Sequence, residues 1–250
     1  MNSEQAIAEA KKIVAKASDR GIALRILGAV AFRIHCSGSA ALYESIDRVI
    51  TDLDFAAYSK QKRQVLSLFE SLGYSIDNSS LLLYENRFIM DSGKTGVHVD
   101  VFFDRLDMCH VVNWKARLEL DSPTISLTDL LLEKMQIVRL EPKDIKDTIL
   151  LFLDHDIGGG DREDVDLEYL RSVLSSDWGF YHTVVTNLER VRNELAQAGW
   201  MNNGLKAQTD KRMRRLVAAL ENCPKTIRWS MRARIGTRRQ WYRDVEERVR

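Results

Sequence analysis

Two short segments with β-strand composition carry the acidic residues that most constrain this chain. In residues 51–55, Asp52 and Asp54 alternate with Leu53 and Phe55. Because successive side chains of a strand point to opposite faces, both carboxylates are predicted on one face and both apolar side chains on the other. Two neighbouring carboxylates repel, and proteins tolerate this mainly where a cation lies between them. The pattern therefore predicts a sheet with a cation site on one face.

A third carboxylate lies within the apolar run 97–103, which has the composition of a buried central strand. Asp100 is in its middle, and a buried charge is costly unless it is paired or bound to a cation. If the two strands are neighbours, Asp52, Asp54 and Asp100 converge into a cluster able to hold two ions for phosphoryl transfer. Such oxygen ligands suit Mg²⁺ or Mn²⁺ bound with a nucleotide. The alternative is that the Asp pair lies in a solvated turn.

A glycine between a strand and a helix gives a second clue to nucleotide binding. Residues 24–27 have strand composition, Gly28 follows, and a helical segment begins at Ala29. At such a junction, backbone N–H groups can donate to phosphate oxygens, so Gly28 and Ala29 are candidate nucleotide contacts. A simple tight turn is the alternative. Arg48, shortly before the Asp pair, is a further phosphate candidate, with a surface salt bridge as its alternative.

The order of the predicted elements indicates an α+β fold. Strands and helices alternate in residues 1–125 and predict a mixed-sheet core, whereas residues 126–250 read as helices only. In this helical region, Ser126 is predicted to cap a helix that extends to Leu140. The glycine run 158–160 predicts a hinge that subdivides the region. Residues 38–45 are small and polar, and they predict a mobile loop.

Charge is distributed unevenly along the chain. The net charge is +1, but residues 206–250 contain 14 Lys or Arg against 5 Asp or Glu, a net of +9. This basic tail predicts a polyanionic partner such as tRNA or another RNA, or docking of the tail on the acidic remainder. The three cysteines lack the spacing of a disulfide framework or a zinc site. Without a signal peptide or a membrane-spanning apolar run, we expect a cytoplasmic protein and no membrane partner.

The order of these motifs resembles that of the polymerase-beta-like nucleotidyltransferases. That superfamily has a Gly-Gly or Gly-Ser turn, then Asp-x-Asp or Asp-x-Glu, then a third Asp on a later strand. Here the three motifs are Gly28-Ala29, Asp52-Leu53-Asp54 and Asp100. Ala29 departs from the pattern, because it lacks the hydroxyl that a serine offers at that position. The resemblance covers about residues 20–155.

A more specific likeness lies in the first helices of the C-terminal region. The sequence follows the pattern K-x4-R-x3-[R/K]-D-x2-D, in which this chain has Lys134, Arg139, Lys143, Asp144 and Asp147. It resembles the minimal nucleotidyltransferases that include the toxin component of type IV toxin-antitoxin systems. That group usually has Arg where this chain has a lysine before the first Asp.

The resemblance implies an activity and a role for each motif. The activity is transfer of a nucleoside monophosphate from a nucleoside triphosphate to a hydroxyl of RNA, protein or a small molecule, and a cognate antitoxin is an implied partner. Asp52, Asp54 and Asp100 would bind Mg²⁺, and Asp100 would also be the base toward the acceptor hydroxyl. Asp104 is a less favoured rival for Asp100. Lys134, Asp144 and Asp147 would belong to the nucleotide-binding site, in which Lys134 would meet the triphosphate. The alternative function is a non-catalytic, degenerate relative that binds RNA or protein.

Overall fold

The chain forms two compact units. The computed structural model describes residues 2–45, 50–77, 84–93, 96–159 and 163–245. The first unit comprises Met1–Leu106 and Asn113–Ser126, and the second comprises Asp107–Val112 and Leu127–Arg250.

A five-stranded mixed sheet forms the centre of the first unit. Its strands are β1 (Leu24–Leu27), β2 (Asp52–Ala57), β3 (Tyr74–Ile76), β4 (Arg87–Ser92) and β5 (His98–Phe103). The spatial order is β1-β2-β5-β4-β3, in which β2 and β5 are parallel and the other neighbours are antiparallel. The strands of the two predicted carboxylate motifs are therefore neighbours. Two further strands, β6 (Arg105–Asp107) and β7 (Val111–Asn113), form a separate two-stranded sheet.

Among the described residues of this unit, four α-helices accompany the sheet, and three of them contribute apolar residues to its core. They are α1 (Ser3–Asp19), α2 (Gly28–His35), α3 (Ala40–Ser45) and α4 (Lys62–Ser71). Helix α1 packs against β1, α2 and α4, and α4 also packs against β3. The ring of Phe55 on β2 meets Phe69 of α4 edge-on at 5.8 Å. Both rings are fully buried, and so is the side chain of Leu53. Leu53 and Phe55 therefore lie in the core, as the alternation on β2 predicts.

The segment predicted as a mobile loop is helical. A short 3₁₀ turn at Ser37–Ser39 leads directly into α3. Ala40, an alanine after it and the following leucine are good helix formers, and Tyr43 is 1% exposed. The guanidinium of Arg33 lies 4.1 Å from the centre of the Tyr43 ring. The prediction of a mobile loop was wrong because the segment consists partly of good helix formers and contains Tyr43, whose side chain is buried.

The second unit is almost entirely helical. Its helices are α5 (Leu127–Met135), α6 (Pro142–Asp154), α7 (Leu167–Leu174), α8 (Trp178–Gln197), α9 (Asn203–Glu221) and α10 (Ile227–Ile235). A short parallel pair, β8 (Ile157–Gly158) and β9 (Val165–Asp166), lies between α6 and α7 in the chain. All nine residues of α5 are buried, so α5 is the central helix of this unit. The α+β class, with a mixed sheet followed by a helical C-terminal region, is confirmed.

Helix α5 is shorter than predicted. It ends at Met135 instead of Leu140, and the next helix begins at Pro142. The side-chain amide of Asn187, on α8, donates to the carbonyls of Met135 (3.0 Å) and Ile137 (2.8 Å). A tertiary contact thus satisfies backbone carbonyls at and just beyond the end of the helix. Local sequence does not reveal such a contact. None of the described helices is long and apolar enough to cross a membrane.

Candidate active site

The register of the sheet brings Asp54 and Asp100 side by side. They are partners on the parallel strands β2 and β5, and Asp52 is paired with His98 in the same register. Asp52 lies on the same face of β2 as Asp54, because the two are separated by one residue. Asp52 and Asp54 are half-buried, whereas Asp100 is 4% exposed. The Thr51 hydroxyl donates to Asp52 at 3.2 Å.

The turn between β1 and α2 lies directly against Asp54. Leu27, the last residue of β1, is the antiparallel partner of Asp54, and Gly28 begins α2 with φ +66°. A Cβ on Gly28 would lie 2.5 Å from Oδ2 of Asp54. Only glycine therefore leaves room for this carboxylate while adopting the left-handed backbone. Leu27 at the N-cap position offers no side-chain oxygen to the N–H groups of the first turn, in which Ala29 is the second helical residue.

Asp100 forms an ion pair that the sequence did not predict. Nη2 of Arg87 lies 2.7 Å from Oδ2 of Asp100, and Nε lies 3.2 Å from Oδ1. Arg87 is on β4, which is antiparallel to β5 and places Ile89 opposite Asp100. A buried carboxylate needs either a cation or a charged partner, and here Arg87 is the charged partner of Asp100. A partial signal was available: β4 and β5 follow one another in the chain and could be expected to pair as a hairpin, but the register that brings Arg87 to Asp100 could not be read from the sequence.

The residue types at this sheet fit a magnesium site, although their side chains do not form one unaided. The donors are carboxylate oxygens, which Mg²⁺ prefers, and Gly28 leaves the Asp54 carboxylate uncrowded. Within the described ranges, no three acidic, histidine or cysteine side chains are grouped closely enough to hold a metal ion. With Arg87 counted, Asp52, Asp54 and Asp100 leave two formal negative charges. This charge suits a site whose remaining ligands come from the nucleotide.

Asp104, the rival of Asp100, has a structural role. It follows β5 with φ +62°, and its Oδ1 accepts the backbone N–H of Ser59 at 2.9 Å. Its own N–H donates to the carbonyl of Ala57. Asp104 thus closes a turn. Arg48, the second phosphate candidate, lies outside the described residues.

Lys134, Asp144 and Asp147 form a buried ionic cluster in the second unit. The Lys134 ammonium lies 2.8 Å from Asp144 and 3.5 Å from Asp147, and all three side chains are at most 8% exposed. Burial lowers the pKa of Lys134, but the charges of Asp147 and Asp144 outweigh burial and raise it. Burial raises the pKa of Asp144, but Lys134 outweighs it and lowers that pKa. A phosphate that contacts Lys134 would have to compete with two carboxylates.

The two basic residues of the same motif are on the surface. Arg139 is exposed between α5 and α6. Lys143 pairs with Glu141 at 2.7 Å, and its side chain is 53% exposed. Asp144 also accepts the backbone N–H of Glu141, so it caps α6 as well as binding Lys134. The motif therefore has an evident structural role in joining two helices.

The aromatic residues of the basic tail pack mainly on aromatic side chains near the start of α8. The Trp241 ring meets Trp178, His182 and Tyr242 edge-on, with ring centres 5.1–6.5 Å apart. Trp229 meets Tyr181 at 5.2 Å in the same geometry. The exposed residues of the tail include Arg234, Arg238 and Arg239.

Comparison with known proteins finds similar solved structures, including two of ANT(2'')-Ia. No protein-family model and no curated protein matches the chain. The solution structure of the antibiotic-resistance factor ANT(2'')-Ia matches with a TM-score of 0.40 and 15% identity, over 60% of this chain and 84% of that one. The crystal structure of ANT(2'')-Ia in complex with adenylyl-2''-tobramycin matches with a TM-score of 0.39 and 15% identity, over 58% of this chain and 86% of that one.

Proposed function

We propose that this protein is a metal-dependent nucleotidyltransferase that transfers a nucleoside monophosphate from a nucleoside triphosphate to an acceptor hydroxyl. One observation carries the proposal: Asp54 and Asp100 are register partners on parallel strands, with Asp52 on the same face. The Gly28 turn against Asp54 supports it, since a helix N-terminus beside carboxylates suits a magnesium-bound phosphate.

In this reaction each residue has a defined task. Asp52, Asp54 and Asp100 would hold the cation, and backbone N–H groups at Gly28 and Ala29 would donate to phosphate oxygens. Mg²⁺ or Mn²⁺, when bound, neutralises the triphosphate and stabilises charge at the α-phosphate. Asp100 accepts the acceptor's hydroxyl proton at Oδ1, the oxygen with the longer Arg87 contact. The acceptor oxygen bonds to the α-phosphorus, and the bond to the β-phosphate breaks to release pyrophosphate.

Calorimetry with each nucleoside triphosphate tests the proposal directly. Carboxylates repel a triphosphate until cations neutralise them, so we expect binding with Mg²⁺ or Mn²⁺ and none with a chelator. Equal affinity in both conditions would exclude a metal-dependent site.

A pair of matched variants assigns the residues. Asp54→Asn keeps the side-chain volume but removes a ligand charge, and we expect it to abolish transfer of labelled nucleotide and the cation-dependent binding. Asp104→Asn is the control, because asparagine tolerates a positive φ and can still accept the Ser59 N–H. If both variants transfer equally well, Asp54 is not a metal ligand.

RNA is the acceptor class that the charge of the tail favours. Arg234, Arg238 and Arg239 are exposed, and their side chains can neutralise phosphates and release counterions. Changing all three to Gln should flatten the log-log salt dependence of tRNA binding by about two to three units. An unchanged slope with intact folding would favour a protein or small-molecule acceptor. Incubating the protein with labelled triphosphates and total cell extract would identify which class becomes labelled.

A non-catalytic binding module is the second candidate function. The observation that favours it is the ion pair between Arg87 and Asp100, which satisfies the buried carboxylate without a metal. Such a protein would bind RNA or a partner protein, and it would show no cation-dependent binding of triphosphate. The calorimetric experiment therefore separates the two functions.

A further inference from the structure

A basic pocket lies in the helical unit, between the C-terminal part of α8 and the N-terminal part of α9. Its volume is about 270 Å³. Arg192, Lys206 and Arg214 contribute three positive charges to its wall, and Asp210 contributes one negative charge. The pocket therefore carries two excess positive charges, which favours an anionic ligand.

Asp210 fixes the orientation of both arginines. Its Oδ1 accepts from Nε of Arg192 at 2.7 Å, and its Oδ2 accepts from Nε of Arg214 at 2.6 Å. Burial raises the pKa of Asp210, but the hydrogen bonds from the two arginines outweigh burial and lower it. Because one carboxylate holds two guanidinium groups, neither group has to be ordered by the ligand itself.

The hydrogen bonds of these arginines leave their outer nitrogens available. Across the described parts of the chain, Arg192 and Arg214 donate only from Nε, so their Nη groups can donate to a ligand. The Arg192 side chain is 22% exposed and that of Arg214 is 67% exposed, so both are accessible from solvent. Lys206 uses one proton for the carbonyl of Ala196 at 3.2 Å and has two more to donate.

We propose that Arg192, Arg214 and Lys206 form a binding site for a phosphate group. Two planar guanidinium forks and one ammonium suit the several acceptor oxygens of a tetrahedral phosphate better than the two of a carboxylate. The phosphate belongs either to the backbone of a polynucleotide or to a small phosphorylated compound. The site lies within the second unit and does not depend on the proposed reaction of the first.

Titration calorimetry with two probes tests the site. The probes are inorganic phosphate and a single-stranded RNA dodecamer with hydroxyl ends. We expect Arg192→Gln with Arg214→Gln to weaken binding of at least one probe about tenfold or more, because two charge-assisted contacts are lost. The control is Arg63→Gln with Arg190→Gln, which removes two exposed arginine charges outside the pocket wall and outside the basic tail.

A second pair of substitutions separates orientation from charge. Arg192→Lys with Arg214→Lys keeps both charges but loses the planar forks, and we expect weakened binding here too. Loss of RNA binding, with or without loss of phosphate binding, identifies a polynucleotide backbone. Loss of binding for inorganic phosphate alone identifies a small phosphorylated ligand. The proposal is overturned if the Gln pair binds both probes like its control, or if the Lys pair binds like the wild type.

Discussion

The Arg87 guanidinium binds both carboxylate oxygens of Asp100, and this contact joins β4 to the strand that carries the proposed base. The Asp100 side chain is 5% exposed and that of Arg87 is 20% exposed. The guanidinium also lies against two aromatic rings: its Cζ atom is 5.5 Å from the ring centre of Tyr84 and 4.9 Å from that of Phe102. A buried carboxylate needs a positive neighbour, and Arg87 supplies it here. In the proposed reaction a metal ion would supply it, so Arg87 and the cation compete for Asp100.

This competition makes the stability of an Arg87 variant depend on magnesium. In a chelator, Arg87→Ala should lower the free energy of unfolding by about 3 kcal/mol, because the buried Asp100 carboxylate loses its ion pair with the guanidinium. Millimolar Mg²⁺ should restore part of this loss, and it should stabilise the variant more than the wild type. Urea unfolding with Mg²⁺ and with chelator measures both effects.

The control for this experiment removes the carboxylate as well. In Arg87→Ala with Asp100→Asn, no buried charge remains at this position, so the additional stabilisation by Mg²⁺ should disappear. If Mg²⁺ stabilises the wild type and Arg87→Ala equally, the cation does not bind at Asp100.

Gly28 and Gly21 form a matched pair for a second prediction. Both have a left-handed backbone, with φ +66° and +67°, but only Gly28 faces the Asp54 carboxylate, whereas a Cβ on Gly21 meets nothing within 4 Å. Each substitution by alanine should cost about 1 kcal/mol of backbone strain. Gly28→Ala should destabilise the protein by at least about 1 kcal/mol more, because its methyl group displaces the carboxylate.

The same pair tests the site. Displacement of Asp54 should weaken the cation-dependent binding of triphosphate in Gly28→Ala and leave it unchanged in Gly21→Ala. Urea unfolding and calorimetry of the two variants provide both comparisons. Equal losses of stability and of binding would mean that the turn at Gly28 has no special relation to the carboxylate.

Local periodicity predicted the elements that bear the carboxylates, but it did not predict their partners. The alternation of Asp52 and Asp54 with apolar residues depends only on strand geometry, and it is retained in β2. The partner of Asp100 depends on the register of β4 against β5, which brings Arg87 diagonally across from it. The Asp210 contact with Arg192 likewise depends on how two helices pack. Such long-range relationships are not encoded in the spacing of residues along the chain.

The buried cluster around Lys134 gives a third prediction. Lys134→Met should lower the free energy of unfolding by about 3–5 kcal/mol, because it leaves Asp144 and Asp147 buried without their cation. Lys143→Met is the matched control, since its ammonium pairs with Glu141 at the surface and should contribute less than about 1 kcal/mol. Urea unfolding at neutral pH measures both variants. Similar small losses would show that Lys134 is not the counter-charge of these aspartates.

His110 is a buried imidazole in the second unit. Its Nε2 lies 2.8 Å from the Thr183 hydroxyl, and its ring stacks on Phe180 at 4.9 Å. Burial lowers the pKa of His110 to about 4, against a smaller opposing effect of Asp177. Between about pH 6.5 and pH 4 the unfolded chain binds a proton at this histidine that the folded chain does not. The free energy of unfolding should therefore fall as the pH is lowered through this range, by at most about 3 kcal/mol.

A glutamine at this position isolates the contribution of His110. The amide of His110→Gln can still reach a hydroxyl but does not titrate, so the loss of stability between pH 6.5 and pH 4 should be smaller than in the wild type. Burial also lowers the pKa of His182, which titrates in the same direction in both proteins and therefore cancels in the comparison. Urea unfolding at half-unit pH intervals gives the two curves. Parallel curves would mean that His110 takes up its proton equally well in the folded and the unfolded chain.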